Sequence, residues 1–261
     1  MAQTAGRMWH WAIVGMRGMW PQRAGECRPP ARDQATQGVR MLGLVTLGHT
    51  PRPDFEQAFR RHAGAADIRV LGALDSLEAD DVRALGAAGD AYPLLVRLAD
   101  GTSGEVPMSA LAPRVAACAD RLAAAGARLV VVLCAGGFPP FSCAAPVLLP
   151  GRLVPAIVAT LTRSRRVGVV VPVRGQAAAA RAKWAADGFD PVVAWASPVC
   201  PGEMDAAARM MTDPALELVV LDCMGHDEEY RLAFARRCGR TVVLAQSLVA
   251  RVAGEFVAGA A

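Results

Sequence analysis

From Met41 onward, short apolar runs rich in β-branched residues alternate with longer stretches whose apolar positions recur at helical spacing. Strands are predicted at 42–47, 68–71, 129–133, 167–171, 192–195, 218–221 and 242–244. Helices are predicted at 54–62, 77–85, 110–125, 153–163, 176–186, 203–211, 228–237 and 247–256. Pro51 and Pro53 set the start of the first helix, Gly126 ends the 110–125 helix as a C-cap, and Ser247 is expected to cap the last one. Runs at 94–98 and 105–108 flank Asp100-Gly101 and read as a β-hairpin inserted at a sheet edge, because Pro107 cannot donate to a central ladder.

Strands alternating with helices of this length predict an α/β fold with parallel sheets. The rhythm runs twice, so the expectation is two pseudo-symmetric Rossmann-like lobes with a ligand cleft between them. One lobe spans 41–155 and is completed by the C-terminal strand and helix at 241–261; the other spans 156–240. Ligands of such sheets bind beyond the carboxyl ends of the strands.

Composition changes the picture only at the N-terminus. The chain of 261 residues is 53% hydrophobic and 20% charged, with a formal charge of +4. Residues 1–40 hold six arginines against Glu26 and Asp33, which accounts for that excess and leaves the remainder balanced. No basic patch is left to favour nucleic acid. Trp9, Trp11 and Trp20 also fall there, followed by a loop-like stretch ending at Pro29-Pro30. Residues 1–40 are therefore expected to be a disordered extension or the product of a mis-assigned start, with the fold opening at Met41. A signal peptide is the rival, but His10 and Arg17 interrupt the apolar run and no clean small-x-small cleavage site follows. No segment reaches the roughly 20 uninterrupted apolar residues of a membrane span.

Seven cysteines, an odd number without framework spacing, suit reduced thiols in a cytoplasm. There is no C-x-x-C, and His10, His49, His62 and His226 do not cluster at ligand spacing, so no metal is expected. Two of the cysteines are set apart by their surroundings. Cys134 ends Leu129-Val130-Val131-Val132-Leu133 and precedes Ala135-Gly136-Gly137; Cys223 ends Leu218-Val219-Val220-Leu221-Asp222 and precedes Met224-Gly225-His226. A single cysteine at a strand end is ordinarily a small buried hydrophobe. The same setting twice, each with glycine turns whose amides can approach an anion, points to an acid/base pair that needs no metal or organic cofactor.

A thiol is mostly protonated at neutral pH, so such a pair can rest as one thiol and one thiolate if helix N-termini and backbone amides lower one pKa, and the turns after Cys134 and Cys223 can supply those amides. Ala135, Gly136, Met224 and Gly225 are the turn positions expected at the substrate. His226 is expected to activate the Cys223 thiolate or to orient the substrate, the alternative being a solvated residue at a helix start. In the polar loop after the first strand, Thr46, Thr50 and Arg52 are candidates for contacts to a substrate carboxylate, the guanidinium being suited to bidentate binding. Tyr92-Pro93 and Arg174-Gly175-Gln176 are weaker candidates. No phosphate-binding glycine loop or serine-nucleophile elbow is present.

Several of these segments together resemble the AroM family: Gly43-Leu44-Val45-Thr46, Thr50-Pro51-Arg52-Pro53-Asp54-Phe55, Asp100-Gly101-Thr102, Leu133-Cys134 with Gly137-Phe138-Pro139, Ala196-Ser197-Pro198, Leu221-Asp222-Cys223-Met224-Gly225 and Ser247-Leu248-Val249-Ala250-Arg251. The resemblance runs from about Met41 to Phe256. That family looks like a branch of the aspartate/glutamate/hydantoin racemase superfamily, whose members place one cysteine after a strand in each of two pseudo-symmetric lobes. Cys134 and Cys223 match those positions. The resemblance implies cofactor-free racemases, maleate cis–trans isomerases and arylmalonate decarboxylases.

The chain departs from the better-known racemases, since Ala135-Gly136 stands where Asn-Thr usually follows the first cysteine and Met224-Gly225-His226 where Thr-His or a similar pair follows the second. Those neighbours normally hold the substrate's amino and carboxylate groups, which counts against an amino acid. The expectation is a racemase or isomerase acting on a small carboxylate, with no nucleic acid and no membrane partner; self-association is compatible with the sequence. The alternatives are a cysteine-dependent decarboxylase or cis–trans isomerase and, outside enzymes, a small-molecule sensor that kept the cleft and lost turnover.

Overall fold

The computed structural model describes residues 40–87 and 92–258; the calls on residues 1–39, Cys27 included, lie outside them. The first half runs β1 (Met41–Thr46), α1 (Pro53–Ala63), β2 (Asp67–Gly72), α2 (Ala79–Ala87), β3 (Pro93–Arg97), β4 (Ser103–Pro107), α3 (Met108–Ala124), β5 (Ala127–Val132), β6 (Val147–Leu148) and α4 (Pro150–Leu161). The second half runs β7 (Arg166–Val171), α5 (Ala177–Ala186), β8 (Asp190–Trp195), α6 (Met204–Met210), β9 (Leu218–Leu221), α7 (Glu228–Cys238), β10 (Val242–Leu244) and α8 (Ala245–Val257).

Two parallel four-stranded sheets result, in the orders β2-β1-β5-β6 and β8-β7-β9-β10. The orders superimpose, which makes β1 the counterpart of β7 and β5 that of β9. The last rungs agree as well: Leu133 N–H donates to the Val45 carbonyl and Asp222 N–H to the Val170 carbonyl, both at 2.8 Å. Leu133 and Asp222 are therefore equivalent positions, and so are Cys134 and Cys223.

Strand alternation explains the layers, because both faces of a parallel sheet must be covered. Leu42 and Leu44 of β1, Leu129 and Val131 of β5, Val167 and Val169 of β7, and Leu218 and Val220 of β9 all enter one core shared by the two sheets, together with Phe55, Phe59, Trp184 and Val249. The opposite faces have separate cores. Val45, Val130 and Val132 pack under α3 and the hairpin, and Val170, Val219 and Leu221 pack under α6 and α7.

Four details differ from the sequence reading. The C-terminal strand β10, expected in the first lobe, pairs with β9 in the second sheet, while α8 returns to pack on α1 of the first lobe. A three-residue strand carries no mark of its partner, so only tertiary packing decides its sheet. β3 and β4 form a sheet of their own rather than an edge insertion, with Pro93 opposite Pro107 at its end. α8 starts at Ala245, so Ser247 lies inside it, bonding back to the Leu244 carbonyl at 3.3 Å. The two-residue β6, behind Pro146, has no period to read.

Candidate functional site

Each cysteine sits two residues beyond its strand, where the chain leaves the ladder. Cys134 is buried and Cys223 half-buried, and both line one cavity of about 720 Å³ bounded by residues of both lobes. Each thiol accepts from the amide two residues on. Gly225 N–H reaches the Cys223 sulfur at 3.3 Å, and Gly136 N–H does the same for Cys134. These hydrogen bonds favour thiolate, as expected of glycine turns, but burial outweighs them. The Cys134 thiol is pushed up to about 12 and that of Cys223 to about 11. The expectation of one lowered thiol is corrected: burial holds both above the ordinary thiol value, and the Cys223 charge adds to the cost of ionising Cys134.

The turns are shaped by contacts that only glycine permits. A Cβ on Gly136 would lie 2.5 Å from the Tyr92 hydroxyl, and one on Gly151, at the start of α4, would run into the Gly136 carbonyl oxygen. Tyr92 also accepts from Gly137 N–H at 3.4 Å. The second turn is held by Gln246, which donates from Nε2 to the Met224 carbonyl at 2.8 Å. Sequence reasoning missed Gln246, although its neighbour Ser247 belongs to a recognised motif.

Of the other predicted residues, Thr46, Arg52, Ala135, Gly136, Met224 and Gly225 line the cavity. Arg52 is nearly buried over the Phe55 ring, 3.9 Å from its centroid. Its Nε and Nη2 donate to Asp54 at 2.9 and 2.6 Å, and Nη1 donates to Thr46 Oγ1 at 3.2 Å. Burial alone would raise the Asp54 carboxyl, but Arg52 overrides it and holds the group below its ordinary value. Three of the five guanidinium N–H groups are thus used, leaving one on each terminal nitrogen for a ligand.

Thr50 and His226 are not brought to the cavity wall. Thr50 donates from its backbone N–H and its hydroxyl to Asp75, at 2.7 and 3.0 Å. His226 is fully buried, donates from Nε2 to the Ala196 carbonyl at 3.0 Å, and stacks against Tyr230 at 4.3 Å between centroids. Burial pushes its pKa down to about 4, so the ring is neutral; what it offers Cys223 is its backbone amide. Of the weaker candidates, Gln176 lines the cavity and clasps the hairpin by donating to the Pro93 carbonyl at 2.7 Å.

Two buried titratable groups were also missed together. Asp222 Oδ2 accepts from Trp184 Nε1 at 2.9 Å, while Asp222 Oδ1 and Lys183 Nζ have no hydrogen-bond partner. Among the described residues there is no cluster of His, Cys, Asp and Glu suited to a metal, all six cysteines are free, and no helix is long and apolar enough to cross a membrane.

The fold is a two-lobed parallel α/β arrangement with a cysteine just beyond the equivalent strand of each lobe. Residues 42–257 match the family model described as AroM protein, and the chain belongs to that family. No curated protein matches the chain. Several solved structures share the fold. Arylmalonate decarboxylase is 14% identical with a TM-score of 0.54, the match covering 85% of this chain and 94% of that one. Glutamate racemase from Aquifex pyrophilus is 14% identical with a TM-score of 0.54, covering 83% of each chain. Maleate isomerase from Pseudomonas putida is 12% identical with a TM-score of 0.54, covering 82% of this chain and 90% of that one.

Proposed function

We propose that the protein is a cofactor-independent racemase or isomerase acting on a small carboxylate through Cys134 and Cys223 as an acid/base pair. The observation that carries this reading is that equivalent strand ends of the two lobes deliver both thiols to one cavity. One cysteine, as thiolate, takes the proton α to the carboxylate and becomes a thiol, leaving the electron pair in an enediolate. The other thiol gives its proton to the opposite face of the same carbon. The free N–H groups of Arg52 bind the carboxylate and stabilise the charge that develops on it. Thr46 helps to hold the guanidinium by accepting from Nη1.

A second reading is favoured by the protonated state of both thiols. A cysteine that rests as an acid is suited to protonating a carbanion left by loss of carbon dioxide, the reaction named for the arylmalonate decarboxylase that shares this fold. The test is solvent deuterium incorporation, followed by mass spectrometry over a panel of α-substituted carboxylates, dicarboxylates and malonates. For a two-base racemase, Cys134→Ala and Cys223→Ala each abolish racemisation, exchange surviving from one enantiomer only, and the wild-type rate climbs with pH between 7 and 10 as thiolate forms. For a decarboxylase one cysteine suffices and the rate is flat over that range. Tight binding without exchange or turnover for any member of the panel would replace both readings by a sensor.

A further inference from the structure

Each thiol meets a cation supplied by the opposite lobe. Cys223, which follows β9 of the second sheet, feels the charge of Arg52 from the loop after β1. Cys134, which follows β5 of the first sheet, feels the charge of Lys183 from α5 of the second lobe. Lys183 reaches across to the first cysteine's turn, its Cδ lying 3.7 Å from where a Cβ on Gly137 would stand. Its Nζ is buried, hydrogen-bonds to nothing, and lies 5.0 Å from the Trp184 ring centroid.

An unpaired ammonium removed from water is costly, and a fold tolerates one where a charge forms beside it. The neighbouring carboxyl makes no hydrogen bond to it: Asp222 Oδ1 is likewise without a partner, and burial raises the Asp222 pKa against the opposing pull of Lys183 and Trp184. Nor does the fold demand a carboxyl there, since the equivalent position in the first lobe is Leu133, packed in the core. The other titratable groups facing Cys134 are Tyr92, Cys223 and Asp222; those facing Cys223 are Asp222, Tyr230 and Cys134. None of these is a cation. Lys183 and Arg52 are the positive charges at the two sulfurs.

We propose that Lys183 is a positioning residue for Cys134, its buried ammonium stabilising the Cys134 thiolate from across the cleft as Arg52 stabilises that of Cys223. The assignment rests on reading the two cysteines as the acid/base pair, but its test needs no substrate. The full-length protein is treated with iodoacetamide between pH 7 and 10, and the alkylation rate of each cysteine is read separately by mass spectrometry, since the thiolate is the reacting form. Lys183→Met, which keeps the side chain's length, moves the Cys134 profile up by roughly one pH unit, a rate about tenfold lower at fixed pH, and leaves Cys223 in place. Lys183→Arg restores the wild-type profile, and Arg52→Gln shifts Cys223 instead of Cys134.

Thermal melts of each variant identify misfolding, and Lys183→Gln replaces Lys183→Met if the latter does not fold. A Cys134 profile unmoved by removal of the charge, or an equal shift of both cysteines, overturns the proposal. A selective shift in a protein that turns over nothing would keep the assignment of Lys183 and reject the enzyme reading alone.

Discussion

The His226 ring donates from Nε2 to the Ala196 carbonyl, and Nδ1 is left as a buried lone pair without a partner. A second proton on that nitrogen would meet no acceptor among the described residues, and burial disfavours the charge it brings. Folding therefore favours the neutral ring, with a pKa of about 4 against 6.5 for the free side chain. The stability this provides is fully present above pH 6.5. It is lost as pH falls through 4, because over that window the unfolded chain binds a proton that the folded one refuses. The loss amounts to about 3 kcal/mol. Urea titrations at pH 7 and pH 4 should show it in the wild type. In His226→Gln, whose amide can still donate to Ala196, the acid-side decrease should shrink by that amount; an unchanged decrease would mean that the ring is not held neutral.

The elements that place the thiols were legible because each has an unambiguous pattern. β5, β7 and β9 are apolar on both faces, as parallel strands are, and their ends mark the cysteines without knowledge of any contact. What could not be read were the close approaches between elements. Gly151 is an example: in the sequence it is a poor residue for a helix, yet it lets the first turn of α4 rest on the Ala135 and Gly136 carbonyls. In Gly151→Ala the new methyl collides with the Gly136 oxygen and stands 2.9 Å from that of Ala135, both backbone atoms that cannot rotate away. The expected cost is about 1–3 kcal/mol by urea denaturation, despite the better helix propensity of alanine. Gly104→Ala, in β4, has open space around its Cβ and serves as the control that stays near wild type. Equal stability of the two variants would show that α4 is not seated on the Cys134 turn.

At the scale of the molecule, the site depends on crossings between lobes that local patterns do not encode. Cys134 and Cys223 were found as strand ends and Arg52 as a loop cation. Lys183, in contrast, lies in an alanine-rich helix whose sequence gives no hint of what it faces, and Gln246 becomes part of the site only because α8 leaves the second sheet and packs on the first lobe. That crossing also makes the lobes energetically one body. Phe55, Phe59 and Leu129 share a single core with Val169, Val220 and Val249, so neither sheet can lose its cover without exposing the other. Gly254 of α8 sits against the His62 carbonyl of α1, where a side chain has no room. Calorimetry should therefore give one transition for residues 40–258 rather than two. Gly254→Leu should lower that transition as a whole, by roughly 3–10 °C. If it instead split off a separate low-temperature step, the lobes would be unfolding independently and α8 would be an ornament of one of them rather than the element that joins both.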